Sequence, residues 1–452
     1  MTKSEKEFRI VLYQEHITEI GVLLEDRDSY FSDSSISWLD VSELEQRIEA
    51  HWDAMMIGQD LAKSIAIELL SSGIDEELSG ACYCLALGSR EDEDELVIIE
   101  KLGQADDDQI EYFRNALKHS ISMSLAGKLV ALLGEKKLPL KIVVLDILGY
   151  ACKGDPKRIW PLLHESDLEV RQATSIAISR YAHKETLTAL EPIVLSDEGS
   201  SKELLFSGIW LGSIQALDML RSNSVNPQYC PENYLHLLAL VGSEQDFPVI
   251  TTATMKPEKK LEAINAMGVV GMIAGIEPLL NELNCDDELV RCAAAQALHL
   301  MSGAGLLENV VQVENDDEEI DPESILSGID PTEQDKMPSL QEAEIQIERL
   351  CTQHDVWEAW WQENKNKFDN NIRYRYGQPW SLGLCIEEIA HPHSTMGNRQ
   401  RAYWEFTIRS GVHIPFEPDW FIDKQLDAIA KMRAWWQQNQ EVYSGQWMFH
   451  GK

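Results

Sequence analysis

Two stretches of the chain superimpose: WPLLHESDLEVRQATSIAISRYA from Trp160 and EPLLNELNCDDELVRCAAAQALHL from Glu277. Each opens on Pro-Leu-Leu, passes through an acidic turn, and runs from Val-Arg into a segment with small residues along one side. The pattern reads as helix, turn, helix, with the small residues leaving room for a neighbouring helix to approach closely. One helical hairpin cannot bury its apolar stripe alone, so such units must stack to make a core. No other feature of the sequence restricts the fold as strongly.

Arg171 and Arg291 lie 120 residues apart, and weaker matches fall before and between them at steps of roughly 30 residues. These are LPLKIVVLDILG around Lys141, just ahead of the first arginine, then KELLFSGIWLG around Leu205, ENYLHLLALVG around Tyr234 and KLEAINAMGVVG around Leu261. Upstream, EELSGACYCLALG and QIEYFRNALKHS continue the register, which places the array at residues 61–312 behind a helical cap at 1–60. The pattern resembles HEAT repeats. That resemblance implies an all-α, HEAT-like α-α superhelix (solenoid), a scaffold for protein contacts. It also implies that the turn aspartate pairs with the arginine after it, Asp167 with Arg171 and Asp287 with Arg291.

Behind the array the composition changes. From Glu314 to Asp335 the chain holds ten acids, two prolines and no Lys or Arg, so residues 313–339 read as an acidic linker or loop. Residues 340–452 read as a smaller, mainly helical, Trp-rich domain with an internal duplication. AWWQEN at 359–364 returns as AWWQQN at 434–439, inside matched stripes: Trp357, Trp360, Trp361, Asn364, Phe368 and Met432, Trp435, Trp436, Asn439, Tyr443. Both stripes fit one helix face. The flanks exchange freely, Glu358 for Arg433 and Glu363 for Gln438, as solvated positions do, so the tryptophans read as core with Asn364 and Asn439 as acceptors for indole N–H groups. The following NNIRYRYGQPW, residues 370–380, alternates basic and aromatic residues and reads as a short extended segment turning at Gly377 and Pro379. Its Arg373 and Arg375 are expected on carboxylates, either the chain's own acidic loops or a partner's surface.

The formal charge is −37, from 76 acidic and 39 basic side chains, and residues 340–452 contribute only −3 of it. Such a surface repels phosphates and anionic headgroups, so nucleic acid and membrane are excluded as partners, while a cationic protein is attracted. The most continuous apolar run, AMGVVGMIAGI at 266–276, has eleven residues, against the ~20 that a membrane-spanning helix needs. The N-terminal MTKSEKEFRIVLYQEH lacks a signal-peptide core, and the eight cysteines lie scattered in apolar stretches without C-x-x-C spacing. A cytoplasmic protein with free thiols is expected. The acidic runs EDEDE at 91–95 and DDD at 106–108 read as inter-helix loops, since neither has the ligand spacing of a calcium loop. Glu91, Asp92, Asp94, Asp106, Asp107 and Asp108, with Arg373 and Arg375, are the candidate partner-binding residues.

The chain lacks G-x-x-x-x-G-K-[ST], G-x-S-x-G, H-E-x-x-H, and a G-x-G-x-x-G between strand and helix. The remaining candidate for chemistry is CIEEIAHPHSTMGNRQR, where Glu387, Glu388, His391 and His393 have side chains suited to a metal or to acid–base work. Pro392 between the histidines is expected to end a helix and leave them in a polar loop. No catalytic residue, cofactor or metal is expected.

Taken together, VLYQEHITEIGVLLEDRDSYF, WLDVSELEQRIEAHWDAM, the repeats and the terminal WWQEN…IRYRYGQPW resemble a family of uncharacterised bacterial HEAT-repeat proteins encoded beside type VI secretion spike, PAAR and effector genes. The resemblance covers nearly the whole chain. It implies a non-enzymatic scaffold that neutralises a toxic effector, that is, an immunity protein, or alternatively a chaperone that loads an effector onto the spike. It transfers no catalytic residue. A hydrolase or metal enzyme built on Glu387, His391 and His393 is the alternative of a different class.

Overall fold

The computed structural model describes residues 3–33, 35–72, 75–88, 92–196, 201–225, 234–313 and 344–452. It is all-α apart from two small two-stranded sheets. The helices are, in order, α1 (Lys3–Ser32), α2 (Ser42–Ser72), α3 (Asp75–Gly88), α4 (Asp92–Gln104), α5 (Asp107–Ser120), α6 (Met123–Leu129) and α7 (Leu138–Ala151). They continue with α8 (Leu168–Arg180), α9 (Lys184–Val194), α10 (Lys202–Trp210), α11 (Ile214–Val225), α12 (Tyr234–Val241) and α13 (Phe247–Ala253). Next come α14 (Lys260–Val270), α15 (Ile276–Glu282), α16 (Glu288–Ser302), the strands β1 (Leu307–Val313) and β2 (Glu344–Leu350), and α17 (His354–Asn364). Strands β3 (Tyr374–Arg375) and β4 (Gln378–Pro379) lead to α18 (Leu382–Ala390), α19 (Met396–Ser410) and α20 (Ile422–Asn439).

Two compact units result: residues 1–250 together with 380–452, and residues 251–379. The expected division at 312 and 340 is therefore not the one the contacts follow. Residues 344–379 pack with the last array helices, whereas 380–452 return to the first unit. The acidic stretch 314–335 lies outside the described residues, but its flanks pair as an antiparallel ladder, Leu307 opposite Leu350 through Val313 opposite Glu344. That ladder is absent from the sequence-based expectation, although the alternation in EIQIERL carries the period of a strand.

In the first unit, α3 packs on α5, α5 on α7, α7 on α8 and α8 on α10, while α4 touches both α2 and α6. Helices α3, α5, α7, α8 and α10 thus pack in succession, each on the next. Helix α5 shows how the sequence sets an element. Asp106 is its N-cap in a reciprocal capping box with Gln109, and Ile110, Phe113, Ala116 and Leu117 recur on the buried face. Ile110, Phe113 and Leu117 each contribute about 1.5–3 kcal/mol by leaving water, and Ala116 less. Close approach of neighbouring helices relies on small residues. A Cβ on Gly149 of α7 would lie 2.6 Å from the Ala177 backbone of α8, and in the second unit one on Gly268 of α14 would lie 2.8 Å from that of Ala297 in α16. Gly149→Ala is expected to lower the free energy of unfolding by about 1–3 kcal/mol, read from a urea titration, because backbone rather than a flexible side chain must move.

The repeat signature has a definite job. Asp167 and Asp287 cap α8 and α16, accepting from backbone N–H groups in the first turn. Arg171 donates to the carbonyls of Glu165 and Ser166 at 2.6 and 3.0 Å, and Arg291 to those of Cys285 and Asp286 at 2.8 Å each. Aspartate and arginine together close the turn, each by holding backbone.

The Trp duplication extends well beyond the tryptophans. Helices α15, α16 and α17 of the second unit have counterparts in α18, α19 and α20 of the first. Helix α16 ends with Ser302 Oγ donating to Leu298 O at 2.6 Å and Gly303 at φ 69°; α19 ends with Ser410 Oγ donating to Phe406 O at 2.7 Å and Gly411 at φ 70°. Asn364 donates to Trp360 O at 2.8 Å and Asn439 to Trp435 O at 2.7 Å. The amides of Tyr376 and Gly377 then donate to the last carbonyls of α16, and those of His450 and Gly451 to the last carbonyls of α19. Tyr376 and His450 both sit at positive φ, 50° and 48°, a strained conformation repeated in both copies. The asparagines thus brace their own helices and are not indole acceptors; the Trp357 indole donates to Cys351 O at 2.6 Å.

Candidate functional site

A cavity in the first unit has a volume of about 480 Å³. Its walls come from the ends of α7 (Tyr150 and Cys152 just beyond it), α8 (Arg180), α10 (Lys202, Phe206, Trp210) and α12 (His236), from α19 (Tyr403, Trp404), and from the segment 411–421 (His413, Phe416, Glu417, Trp420). Aromatic rings follow one another along it, tilted or edge to face: between ring centres Phe206 lies 4.9 Å from Trp404, Trp210 5.5 Å from Tyr403, and Tyr403 5.3 Å from Phe416.

A chain of charges lies beside those rings. Arg114 of α5 donates to Asp146 of α7 at 2.7 Å, Asp146 accepts from Arg180 at 3.2 Å, and Arg180 pairs with Glu417 at 3.1 Å. Burial pushes the Glu417 carboxyl up to about 7, with Arg180 only partly offsetting it. Burial pushes His236 and His413 down to about 4, so both rings are neutral near pH 7. Cys152 Sγ donates to the carbonyls of Gly149 and Arg180 at 3.2 and 3.4 Å, and burial raises its thiol to about 11. A thiol held protonated is a poor nucleophile.

These shifts give stability a pH dependence with opposed signs. A histidine depressed below 6.5 contributes stability that is full above pH 6.5 and is lost as pH falls towards 4. Glu417, raised above 4.5, contributes stability that is full below pH 4.5 and is lost as pH rises to 7. The double substitution His236→Gln, His413→Gln is therefore expected to flatten the fall in urea midpoint between pH 6.5 and 4.5 relative to the unsubstituted protein. An unchanged slope would show that these rings do not titrate there.

Segment 411–424 is tied down along its length. Arg27 of α1 donates to Asp419 O at 2.6 Å and to Glu45 at 2.8 Å, and Glu45 accepts from Ile422 N at 2.7 Å. Lys118 lies 3.6 Å from Asp419. Arg399, fully buried, donates to the carbonyls of Ile389 and Pro418 and to Gln425.

The residues expected to bind a partner are dispersed. Glu91 lies outside the described residues, and Asp92 opens α4. Asp94 is buried and pairs with Lys63 at 2.7 Å. Residues 92–95 are thus not a free loop: they open α4, and Glu95 accepts from Ser122, Ser124 and Lys128. Asp106 is the N-cap of α5; Asp107, exposed, lies 3.0 Å from Lys137; Asp108 is exposed. Arg373 and Arg375 are fully buried in the second unit, donating to the carbonyls of Val269 and Val270 at the end of α14. They satisfy helix-end carbonyls, so neither offers a surface to a partner. Glu387 pairs with Arg433 at 2.8 Å and Glu388 with Arg401, while His391 caps α18 and accepts from His393 N. The four side chains do not converge, and among the described residues no three His, Cys, Asp or Glu side chains gather to hold a metal.

A second feature of the first unit is an acidic patch. Carboxylates of Asp75, Glu76, Asp26 and Asp28 around Glu25 raise its pKa, after burial itself, and Asp75, Glu25, Glu76 and Asp108 do the same to Tyr112. Of these acids only Asp108 is among the candidates drawn from the sequence, because the patch assembles from α1, α3 and α5. The cavity residues escape sequence reasoning for the same reason, though the aromatics of KELLFSGIW and RAYWEF are a visible signal. No described helix is long and apolar enough to cross a membrane, and seven of the cysteines are free thiols, with Cys230 outside the described residues.

No family model and no curated protein matches this chain. Among solved structures, one described as an engineered protein aligns over 63% of this chain and 77% of its own at 17% identity, with a TM-score of 0.23.

Proposed function

We propose that this chain is a non-enzymatic protein that binds and neutralises a basic toxin domain, an immunity protein of the type VI secretion kind its sequence resembles. The acidic patch carries the reading. After burial itself, Glu76, Asp75, Asp26 and Asp28 lie close enough to raise the Glu25 pKa, and Asp108 joins Asp75, Glu25 and Glu76 around Tyr112, an arrangement whose self-repulsion a cationic partner relieves. The formal charge of −37 would steer such a partner towards it. The cavity supports binding over chemistry, since Arg180 and Glu417 are paired and Cys152 is held as a thiol.

Co-expression with the toxin gene beside its own tests the reading: the chain restores growth, and failure to rescue from any neighbouring toxin would remove it. If deletion instead blocks secretion of the effector without self-intoxication, the chain is a loading chaperone. For the purified pair, replacing Glu25, Asp75, Glu76 and Asp108 by their amides is expected to slow association about tenfold at low salt and leave dissociation nearly unchanged. Raising ionic strength from 0.1 to 1 M, which shortens the screening length from ~10 to ~3 Å, should abolish that difference.

A further inference from the structure

The cavity described above has features that the charge of the surface does not explain. Trp210 and Trp420 are each only 5% exposed, both line it, and neither indole N–H has an acceptor among the described residues. A buried donor without an acceptor is costly unless something arrives to accept from it. The rings around this segment also follow a pattern. Lys424 sits 3.2 Å from the Trp420 ring centre, Arg399 3.7 Å from that of Trp38, and Lys118 4.5 Å from that of Tyr150. Phe206, Trp210 and Trp404, which share the cavity wall, have no cation on their faces among the described residues. Glu417 lines the same cavity, pairs with Arg180 at 3.1 Å and has a side chain 13% exposed.

We infer that this cavity is an anchor pocket for a lysine or arginine side chain of the protein partner. The aliphatic stem lies along Phe206 and Trp404, the cationic head meets the ring faces and Glu417, and the carbonyl of that residue and the one of the residue before it accept from the indoles of Trp210 and Trp420. The volume of about 480 Å³ falls within the range of ligand pockets, about 300–1,000 Å³. A bare metal ion would leave the rings unused, and an anion would be opposed by Glu417. A cation on an apolar stem that also brings amide carbonyls engages the open ring faces, the two indole donors and Glu417, which it shares with Arg180. The inference rests on the binding reading and names the residue type that the pocket accepts.

The test uses the full chain and single-residue probes: N-acetyl-lysine methylamide and N-acetyl-arginine methylamide, with the norleucine and glutamate analogues as controls. Indole N–H resonances are followed by NMR and assigned with Trp210→Phe and Trp420→Phe. A saturable downfield shift of both resonances is expected with the cationic probes, with a Kd on the order of 1–10 mM. The norleucine probe should bind at least about tenfold more weakly, and Glu417→Gln should weaken the cationic probes about five- to tenfold. Trp404→Ala, at the cavity wall and partly exposed, gives a second loss if Glu417→Gln disturbs the fold, which the other indole resonances report. Equal response to norleucine, tighter binding of the glutamate probe, or no saturable shift with any probe would overturn the assignment. If the cationic probes bind but growth is not rescued, the pocket stands and neutralisation falls. If rescue survives both substitutions and no probe binds, neutralisation stands and the pocket falls.

Discussion

Arg399→Ala is expected to lower the free energy of unfolding by about 3–5 kcal/mol, measured by urea titration with tryptophan fluorescence. The side chain has no exposure, and its three donor groups reach Ile389 O at 2.8 Å, Pro418 O at 3.1 Å and Gln425 Oε1 at 2.5 Å. Its guanidinium lies on the Trp38 ring, and burial depresses its pKa to about 9. Truncation would strand two carbonyls, leave a void, and release segment 411–424 from α19. Lysine in its place cannot present the same fork of donors, so Arg399→Lys should recover less than half the loss. Arg433→Ala is the contrast. That side chain pairs with Glu387 at 2.8 Å but both partners are about half exposed, and such pairs contribute less than about 1 kcal/mol. Equal losses for the two would mean that the buried arginine is not what holds the segment.

The second large effect falls in the other unit. Trp357 is 1% exposed, packs against Trp360 at 6.5 Å between ring centres, and donates its indole N–H to Cys351 O. Trp357→Ala is expected to lower stability by about 3–5 kcal/mol through the void it opens. Trp357→Phe retains much of the buried area but leaves the Cys351 carbonyl without its donor, so it should lose about 1–3 kcal/mol. If the two substitutions cost the same, the hydrogen bond dominates. If phenylalanine is neutral, the bond contributes little.

The parts of this fold that are legible in the sequence are those set by local rules. Helix periodicity, the acidic turns that hold Asp167 and Asp287, the small residues that let neighbouring helices approach, and the turn at Gly377 each follow from a few neighbouring residues. What the sequence misleads on depends on partners far along the chain. Arg373 and Arg375 alternate with aromatic residues as a surface strand would, yet they end against α14, about a hundred residues away, because its last carbonyls need donors. Asp94 and Glu95 belong to an acidic run, but Lys63 and Lys128 on other helices draw them inward. The return of residues 380–452 to the first unit has no local signal, since it depends on Arg27, Trp38 and Glu45 meeting a segment more than 350 residues later. The cavity follows from that return: α19 and segment 411–421 complete its wall.

The measurement that bears most directly on the proposed function is the fate of the toxin after it has been bound. The chain and the toxin domain encoded beside it are mixed, the complex is isolated, and the toxin is recovered by dissociation in 1 M salt. Neutralisation by coverage predicts a 1:1 complex, an unchanged intact toxin mass, and full return of toxin activity on release. A toxin recovered cleaved, modified or permanently inactive would contradict coverage and mean that this chain acts on its partner by chemistry.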